Sequence, residues 1–281
     1  MENPSGTEEY FDLSFSEEPA SYYYLLLTID QEWVHAAWYH STKNLITGFA
    51  RYPNQNSLKG LIEQHPYLRS EFKEVIAGVQ NENYLVYPKH VLDATNPNIF
   101  QLTNAFNEDH ESLMNGELVS LQASIAFAAP SDLITEIYNA FKHVKVISHV
   151  HPRIEQEFNA WKKTRTGSPM LSVHVWNDQL DIRAYKDGKI YLANTYFQSG
   201  KEDIAYYVLY ASELLEIDPE GAQLSLSGSV EIGDPAWTLL AQYWKKMEIA
   251  QPLENIKISE SLSDFSHSRF DHLTHALLCV S

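Results

Sequence analysis

The chain of 281 residues contains 44% hydrophobic and 20% charged residues, the composition of a globular protein with a sizeable core, and it carries a formal net charge of −17. This length predicts one large or two medium domains, and we expect two. The negative charge repels phosphate backbones and anionic lipid headgroups, which argues against nucleic acid and membrane surfaces as partners.

The N-terminal segment predicts a soluble, cytoplasmic protein. Its sequence, MENPSGTEEYFDLSFSEEP, is acidic and lacks the basic and apolar regions of a signal peptide. The first long apolar run, YYYLLLTI, is much shorter than the roughly 20 residues that span a bilayer, so we expect no membrane insertion. The single cysteine, Cys279, excludes an intrachain disulfide.

The first half of the chain opens with a predicted meander of three antiparallel strands. Polar turns, DQ and STKN, separate three segments in which apolar residues dominate or alternate, YYYLLLTID (22–30), EWVHAAWYH (32–40) and NLITGFARY (44–52). A helix follows in SLKGLIEQHP, with Ser57 as the predicted N-cap and Pro66 as the stop. The segment FKEVIAGVQ then predicts a further strand.

An inserted subdomain is predicted between Gln80 and Pro130, because this segment, which includes the alternating LVSLQASIAFAAP, has no counterpart later in the chain. After it, SDLITEIYNAFKHV (131–144) has apolar residues at four-residue spacing and predicts a helix, and KVISHV predicts a strand. The segment TRTGSP (164–169) is the predicted linker to the second half.

The second half repeats the same order of predicted elements. A meander with a tight turn at Asp187-Gly188 precedes a helix, a strand and a helix, which are KEDIAYYVLYASELLEIDPEG, AQLSLSGSV and DPAWTLLAQYWKKM. The matched order, three strands, helix, strand and helix, indicates a repeat. We therefore predict an N-terminal half at 1–165, with an insertion at about 80–130, and a C-terminal half at 166–281.

One predicted helix, IAYYVLYASELL, is apolar nearly all round. One stripe contains Ile204, Val208 and Ala211, and Tyr206 and Tyr210 lie on the other side. Such a helix is either buried on two sides within the chain or covered by a partner. With six Trp and seventeen Tyr in the chain, a role in protein binding stays open, because aromatic side chains anchor interfaces.

Two β-β-β-α-β-α halves joined near the middle resemble the actin-like ATPase superfamily of ribonuclease-H-like folds. The segment LVYPKHVLD (85–93), the pair of meanders and the overall length resemble, more narrowly, an uncharacterised bacterial family, domain of unknown function 3822. The resemblance implies an α/β protein with a duplicated actin-like ATPase (ribonuclease-H-like) fold, in which the two halves flank a cleft. It implies no activity, because none is assigned to the family.

The superfamily resemblance also implies where a nucleotide site would lie. Members that bind ATP hold the phosphates with the first turn of each meander, usually an Asp followed by glycines, and hold the adenosine at a glycine-bearing strand end. By that pattern Asp30 takes the place of the Mg²⁺-holding carboxylate, and the other candidates are Asn177, Asp178, Ser227, Gly228 and Ser229. Both turns, DQEW and WNDQ, lack glycine, so fewer backbone N–H groups could approach a phosphate.

Two histidine spacings are candidates for metal sites. His149 and His151 would share one face of a strand, and His272, His275 and Cys279 would share one face of a helix. Neither spacing supplies the three or four converging ligands that a metal site needs, so we expect no metal site.

These patterns favour a non-enzymatic, cytoplasmic actin-like protein, a pseudo-ATPase with a degenerate nucleotide site that acts through a protein partner or self-association. The alternative is an ATP-dependent phosphotransferase or ATPase in the cleft, with Asp30 as the Mg²⁺ anchor and Asp178 as a water-orienting or base carboxylate. We expect no cofactor under the first hypothesis, and ATP with Mg²⁺ under the second.

Overall fold

The computed structural model describes residues 6–12, 15, 19–54, 57–81, 83–89, 106–164, 167–176, 178–250, 253, 256–262 and 271–279. The elements in chain order are β1 (Glu8–Phe11), β2 (Tyr23–Ile29), β3 (Trp33–His40), β4 (Leu45–Pro53), α1 (Leu58–Gln64), β5 (Glu74–Val79), β6 (Tyr84–Pro88), β7 (Glu111–Leu118), β8 (Ala123–Pro130), α2 (Ser131–Ala140), β9 (Val144–Ser148), α3 (His151–Thr164), β10 (Met170–Trp176), β11 (Gln179–Lys186), β12 (Lys189–Phe197), α4 (Lys201–Leu214), β13 (Gln223–Gly228), α5 (Pro235–Leu240), β14 (Lys246–Ile249), β15 (Lys257–Ile258) and α6 (Asp271–His275). A 3₁₀ turn, Ala276–Cys279, continues α6.

Two large sheets share one strand order. The first runs β1-β4-β3-β2-β5-β9, with β15 also paired to β4, and the second runs β12-β11-β10-β13-β14. In each, the three antiparallel strands of the meander continue into two strands that pair in parallel, and the first sheet adds β1 and β15 beside β4. The first strands of the two meanders, β2 and β10, are central in their sheets, because each has partners on both sides.

A separate small sheet lies where the insertion was predicted. It has the order β6-β8-β7 and falls between Tyr84 and Pro130. The motif LVYPKHVLD is described only as far as Lys89, and the proposed boundary at 165/166 lies outside the described residues. The exact limits of the domains therefore stay a prediction.

The first sheet is covered on both faces, as the two-residue period of a strand allows. Leu25 and Leu27 of β2 pack in the core that includes α1 and α2, while Leu26 packs on the other side with Leu273 and Ala276 from the C-terminal segment. β2 is therefore a continuous apolar run, which is typical of a strand buried on both faces.

The second sheet differs, because its two faces are chemically distinct. Leu171 and Val173 of β10 pack with the buried side of α4 in an apolar core. The alternate positions on β10 and on its neighbour β11 carry buried side chains that are polar or aromatic. These are Ser172, His174, Gln179, Asp181, Arg183 and Tyr185. This polar face is the basis of the candidate site.

The predicted strand containing both His149 and His151 is wrong. Strand β9 ends at Ser148, His149 lies in a turn, and His151 is the first residue of α3. Pro152 explains the change, since proline lacks a backbone N–H and fits the first turn of a helix better than a strand.

Candidate functional site

Asp30 closes the turn between β2 and β3 with its own carboxylate. Oδ1 accepts hydrogen bonds from the backbone N–H of Glu32 at 2.8 Å and of Trp33 at 2.6 Å. The N–H of Asp30 donates to the carbonyl of Trp33 at 2.9 Å. Three backbone donors at this turn are therefore satisfied within the turn itself, the arrangement of an Asx turn.

The second carboxylate oxygen of Asp30 is buried. Oδ2 has no hydrogen-bond partner among the described residues, and it lies 3.8 Å from Nε2 of His35. Burial raises the pKa of Asp30, and the two backbone hydrogen bonds oppose that rise only in part. The side chain thus has a structural role in the turn and is only 7% exposed.

The second turn places its candidates differently. Asp178 is exposed, and its carbonyl oxygen accepts from the N–H of Gln198 at 2.8 Å. Asn177 lies outside the described residues. The next residue, Gln179, is buried and accepts a hydrogen bond at 2.6 Å from the side chain of Gln80, which follows β5 of the first sheet.

The glycine-bearing strand end packs against β10. Gly228 has φ +83°, and a Cβ there would overlap the carbonyl oxygen of Val175 and lie 2.7 Å from Cε1 of His174. The N–H of the exposed Ser229 donates to the same carbonyl at 2.9 Å. The close approach of two strands is therefore sufficient to require glycine at this position.

Helix α3 presents charged side chains to the polar face of the second sheet. Arg153, Glu155 and Glu157 are each less than a tenth exposed. Nη1 of Arg153 lies 2.8 Å from Nδ1 of His174 and 3.1 Å from Oγ of Ser227. This contact joins the helix that follows the first sheet to two strands of the second sheet.

The guanidinium of Arg183 is held by two hydrogen bonds from the same helix. Its Nε and Nη2 donate to the two carboxylate oxygens of Glu157 at 2.6 and 2.8 Å, and the hydroxyl of Tyr185 donates to Oε2 at 2.9 Å. Burial opposes the charge of Arg183, but Glu157 outweighs it and the net pKa is raised. The geometry is the bidentate pairing that suits a buried ion pair.

Asp181 provides a second ionic contact on this face. Its Oδ2 lies 3.7 Å from Nε2 of His149, and the hydroxyl of Thr195 donates to Oδ1 at 2.6 Å. Burial alone would raise the pKa of Asp181, but the contacts with His149, Arg183 and Thr195 lower it to about 2. Asp181 is therefore ionised in the folded protein at neutral pH.

Aromatic rings fill the neighbouring part of the contact between the sheets. Trp176 at the end of β10 lies with its ring centroid 5.9 Å from that of His35 on β3 and 4.6 Å from that of His272 on α6. His35 and His272 are themselves 5.1 Å apart. Burial is the main cause of a lowered pKa for both His174 and His272, so both imidazoles are neutral at pH 7.

Helix α3 also contacts the small sheet. Both carboxylate oxygens of Glu155 accept from the N–H of Ser120, at 3.2 and 3.1 Å, in the turn between β7 and β8. One helix therefore connects the insertion with the second sheet. The sequence signal for this helix was missed, although Ile154, Phe158 and Trp161 follow the helical spacing i, i+4, i+7.

Within the described ranges, no three His, Cys, Asp or Glu side chains are grouped so that they could hold a metal ion. His272 and His275 do lie on one helix, and burial lowers the pKa of His275 to about 3. The prediction that the chain has no metal site stays a prediction. In the part of the chain that the structure describes, no helix is long and apolar enough to cross a membrane.

The model of the family described as protein of unknown function (DUF3822) matches residues 12–247. A Bacteroides thetaiotaomicron VPI-5482 protein with an actin-like ATPase fold and unknown function is similar in structure, with a TM-score of 0.75 and 18% identity over 96% of this chain and 99% of that chain. The PilM–PilN type IV pilus biogenesis complex gives a TM-score of 0.61 and 13% identity over 94% and 100%. No curated protein sequence matches the chain. The resemblance and the predicted fold class, an α/β protein of actin-like ATPase fold, are thus confirmed.

Proposed function

The chain belongs to the family of proteins of unknown function DUF3822, and from this membership and the contacts between its sheets we propose a cytoplasmic actin-like protein that binds no nucleotide and acts through a protein partner. In this proposal the nucleotide site is degenerate, and the side chains at the cleft hold the two sheets together.

The turn at Asp30 carries the proposal. A phosphate-binding turn must offer unpaired backbone N–H groups, which attract an anion and approach it closely. Here Oδ1 of Asp30 already accepts from Glu32 and Trp33. A phosphate would have to displace a carboxylate that is covalently part of the turn, and the nearby charge of Glu32 would repel it.

The contact between the sheets supports the same conclusion. Gln80 binds Gln179, which follows the candidate Asp178, and Arg153 binds His174 and the candidate Ser227. Side chains of the protein therefore occupy one candidate position and lie next to another. Opening this contact for a ligand would leave buried polar groups unpaired, at a cost of about 1–3 kcal/mol for each group.

Two observations support a protein partner. The fold neighbour PilM was solved in a complex with PilN, which gives one case of this fold in a protein assembly. In addition, α4 carries large apolar side chains that nothing in the described chain covers, including Tyr206 at 61% exposure. Exposed aromatic side chains grouped on one face are typical of interfaces.

Thermal unfolding with and without millimolar Mg·ATP tests the proposal. A ligand at 100 times its Kd adds about 2.7 kcal/mol to stability, which corresponds to a rise in Tm of about 5 °C for a chain of this size. We expect no shift and no ATP hydrolysis above the blank, for the parent and for Asp30→Asn alike.

Asp30→Asn is the informative variant because its amide oxygen can accept the same two N–H groups while the negative charge is removed. An ATP-dependent rise in Tm that Asp30→Asn abolishes would overturn the proposal in favour of an ATPase or phosphotransferase with a Mg²⁺-holding Asp30.

A further inference from the structure

Helix α4 exposes a continuous apolar stripe, the tyrosine stripe, formed by Tyr206, Tyr210 and Leu214. These side chains are 61%, 48% and 62% exposed and lie four residues apart, so they share one face of the helix. The rings of Tyr206 and Tyr210 are stacked, with centroids 6.0 Å apart and an angle of 8° between the planes.

The stripe is held on a rigid base. On the opposite side of α4, Ile204, Ala205, Val208 and Ala211 are buried in the core of the second sheet. The exposed side chains of the stripe are not part of this core. Because the buried residues anchor the helix, the stripe has a fixed position before any partner binds. Such preorganisation lowers the cost of ordering side chains on binding.

Negative charge surrounds the stripe. Residues 201–220 contain six carboxylates and one lysine. Glu213, next to Leu214, and Glu216, just past the helix, have no ion pair among the described residues, whereas Glu220 is paired with Lys245 at 2.8 Å. A second copy packed stripe to stripe would bring unpaired glutamates together on proteins that each carry a net charge of −17.

We propose that the tyrosine stripe binds an amphipathic helix of a partner protein, with apolar side chains three or four residues apart and Lys or Arg beside them. Side chains four apart form a ridge that fits the groove of another helix, and the basic residues pair with Glu213 and Glu216. This inference rests on the protein-partner part of the proposed function, and it names the surface and the chemistry of the partner.

The test uses the full chain and a labelled 15-residue amphipathic Leu/Lys peptide as the probe, with fluorescence anisotropy as the readout. We expect saturable binding that Tyr206→Ser/Tyr210→Ser weakens at least tenfold, and that Glu213→Lys also weakens, more strongly at low salt. The matched control is Tyr138→Ser on α2, a tyrosine of 51% exposure outside the stripe, which should leave the Kd unchanged. A peptide with Glu in place of Lys should not bind.

Unchanged peptide affinity in Tyr206→Ser/Tyr210→Ser would overturn the inference, as would equal losses for Tyr138→Ser. A dimer in sedimentation that Tyr206→Ser dissolves would overturn it in favour of a second copy as the occupant. Leu214→Ser provides an independent variant if the double variant unfolds. None of these results depends on Mg·ATP, so a failure here is distinguishable from a failure of the nucleotide proposal.

Discussion

Nη1 of Arg153 lies 2.8 Å from Nδ1 of His174, which fixes the protonation of that imidazole. A guanidinium only donates, so Nδ1 must accept and the proton of the neutral ring must be on Nε2. The lowered pKa of His174 agrees, because burial and the charge of Arg153 both disfavour a second proton. The contact between α3 and the second sheet therefore depends on a neutral histidine.

Replacing Arg153 should weaken the whole fold. Arg153→Ala removes the buried guanidinium from Nδ1 of His174 and Oγ of Ser227, which then keep only weaker contacts such as their own at 3.0 Å. We expect a loss of about 2–3 kcal/mol in the free energy of unfolding, measured with urea. The control is Arg69→Ala, since the Arg69 side chain is exposed and its Nε donates to the carbonyl of Ile62, and it should cost about 0.5 kcal/mol or less. Equal effects of the two variants would contradict the account.

The ion pair of Arg183 and Glu157 predicts a larger effect. Glu157→Gln removes the charge that faces a fully buried guanidinium, so we expect a loss of about 3 kcal/mol or more. Glu71→Gln, which breaks the exposed pair with Lys142, should change stability by less than about 1 kcal/mol. If the two variants unfold at the same urea concentration, the buried pair does not hold α3 to the sheet.

Mild acid should destabilise the protein through its buried histidines. Burial lowers the pKa of His151 to about 4 and that of His275 to about 3, and it lowers those of His174 and His272 as well. Below the unfolded value near 6.5 the unfolded chain binds more protons than the folded one, so stability falls with decreasing pH until the folded pKa is reached.

Each histidine contributes up to about 1.4 kcal/mol per pH unit in that window. Asp30 acts in the opposite direction, because its raised pKa favours the folded state when it is protonated. Urea unfolding between pH 7.5 and pH 4.5 measures the combined effect of these groups on the free energy of unfolding. His275→Gln should make that free energy depend less steeply on pH. A free energy of unfolding that stays constant from pH 7 to pH 5 would exclude neutral buried histidines.

Gly228 can be tested against a second glycine with positive φ. A Cβ at Gly188, where φ is +76°, meets nothing within 4 Å, whereas a Cβ at Gly228 overlaps Val175. Gly188→Ala should therefore cost about 1 kcal/mol for backbone strain alone, and Gly228→Ala should cost about 2 kcal/mol more. Calorimetric Tm values give the comparison. Equal costs would mean that the close approach to β10 does not require glycine.

The strands were largely predictable because their apolar residues have a two-residue period, as in Leu171, Val173 and Val175. Helix α3 was not predicted, since five charged side chains conceal its short apolar stripe, and three of those side chains are buried by partners distant in sequence. His174 and Asp181 alternate with apolar residues in the way that polar residues on a solvated face do. Only the complementary charges of α3 make that face buried, and no local pattern reveals them.

Among the site candidates, Asp30 stands between two predicted strands, where a turn-forming Asp is expected, and its hydrogen bonds show how it closes the turn. The glycine of the SGS segment, Gly228, matched the adenosine pattern in sequence, yet contact with Val175 is a sufficient reason for it. A glycine in a sequence motif shows that the backbone must approach something closely. Packing against a neighbouring strand and binding of a ligand can both require glycine at the same position.

The most direct test is hydrogen exchange at the backbone amides of Glu32 and Trp33, measured by NMR with and without millimolar Mg·ATP. The account predicts that both amides are protected in the parent protein, that Mg·ATP changes neither their exchange nor their chemical shifts, and that Asp30→Ala makes both exchange rapidly. Amides that exchange rapidly in the parent and become protected when Mg·ATP is added would show that the turn is a phosphate site, and would contradict the account.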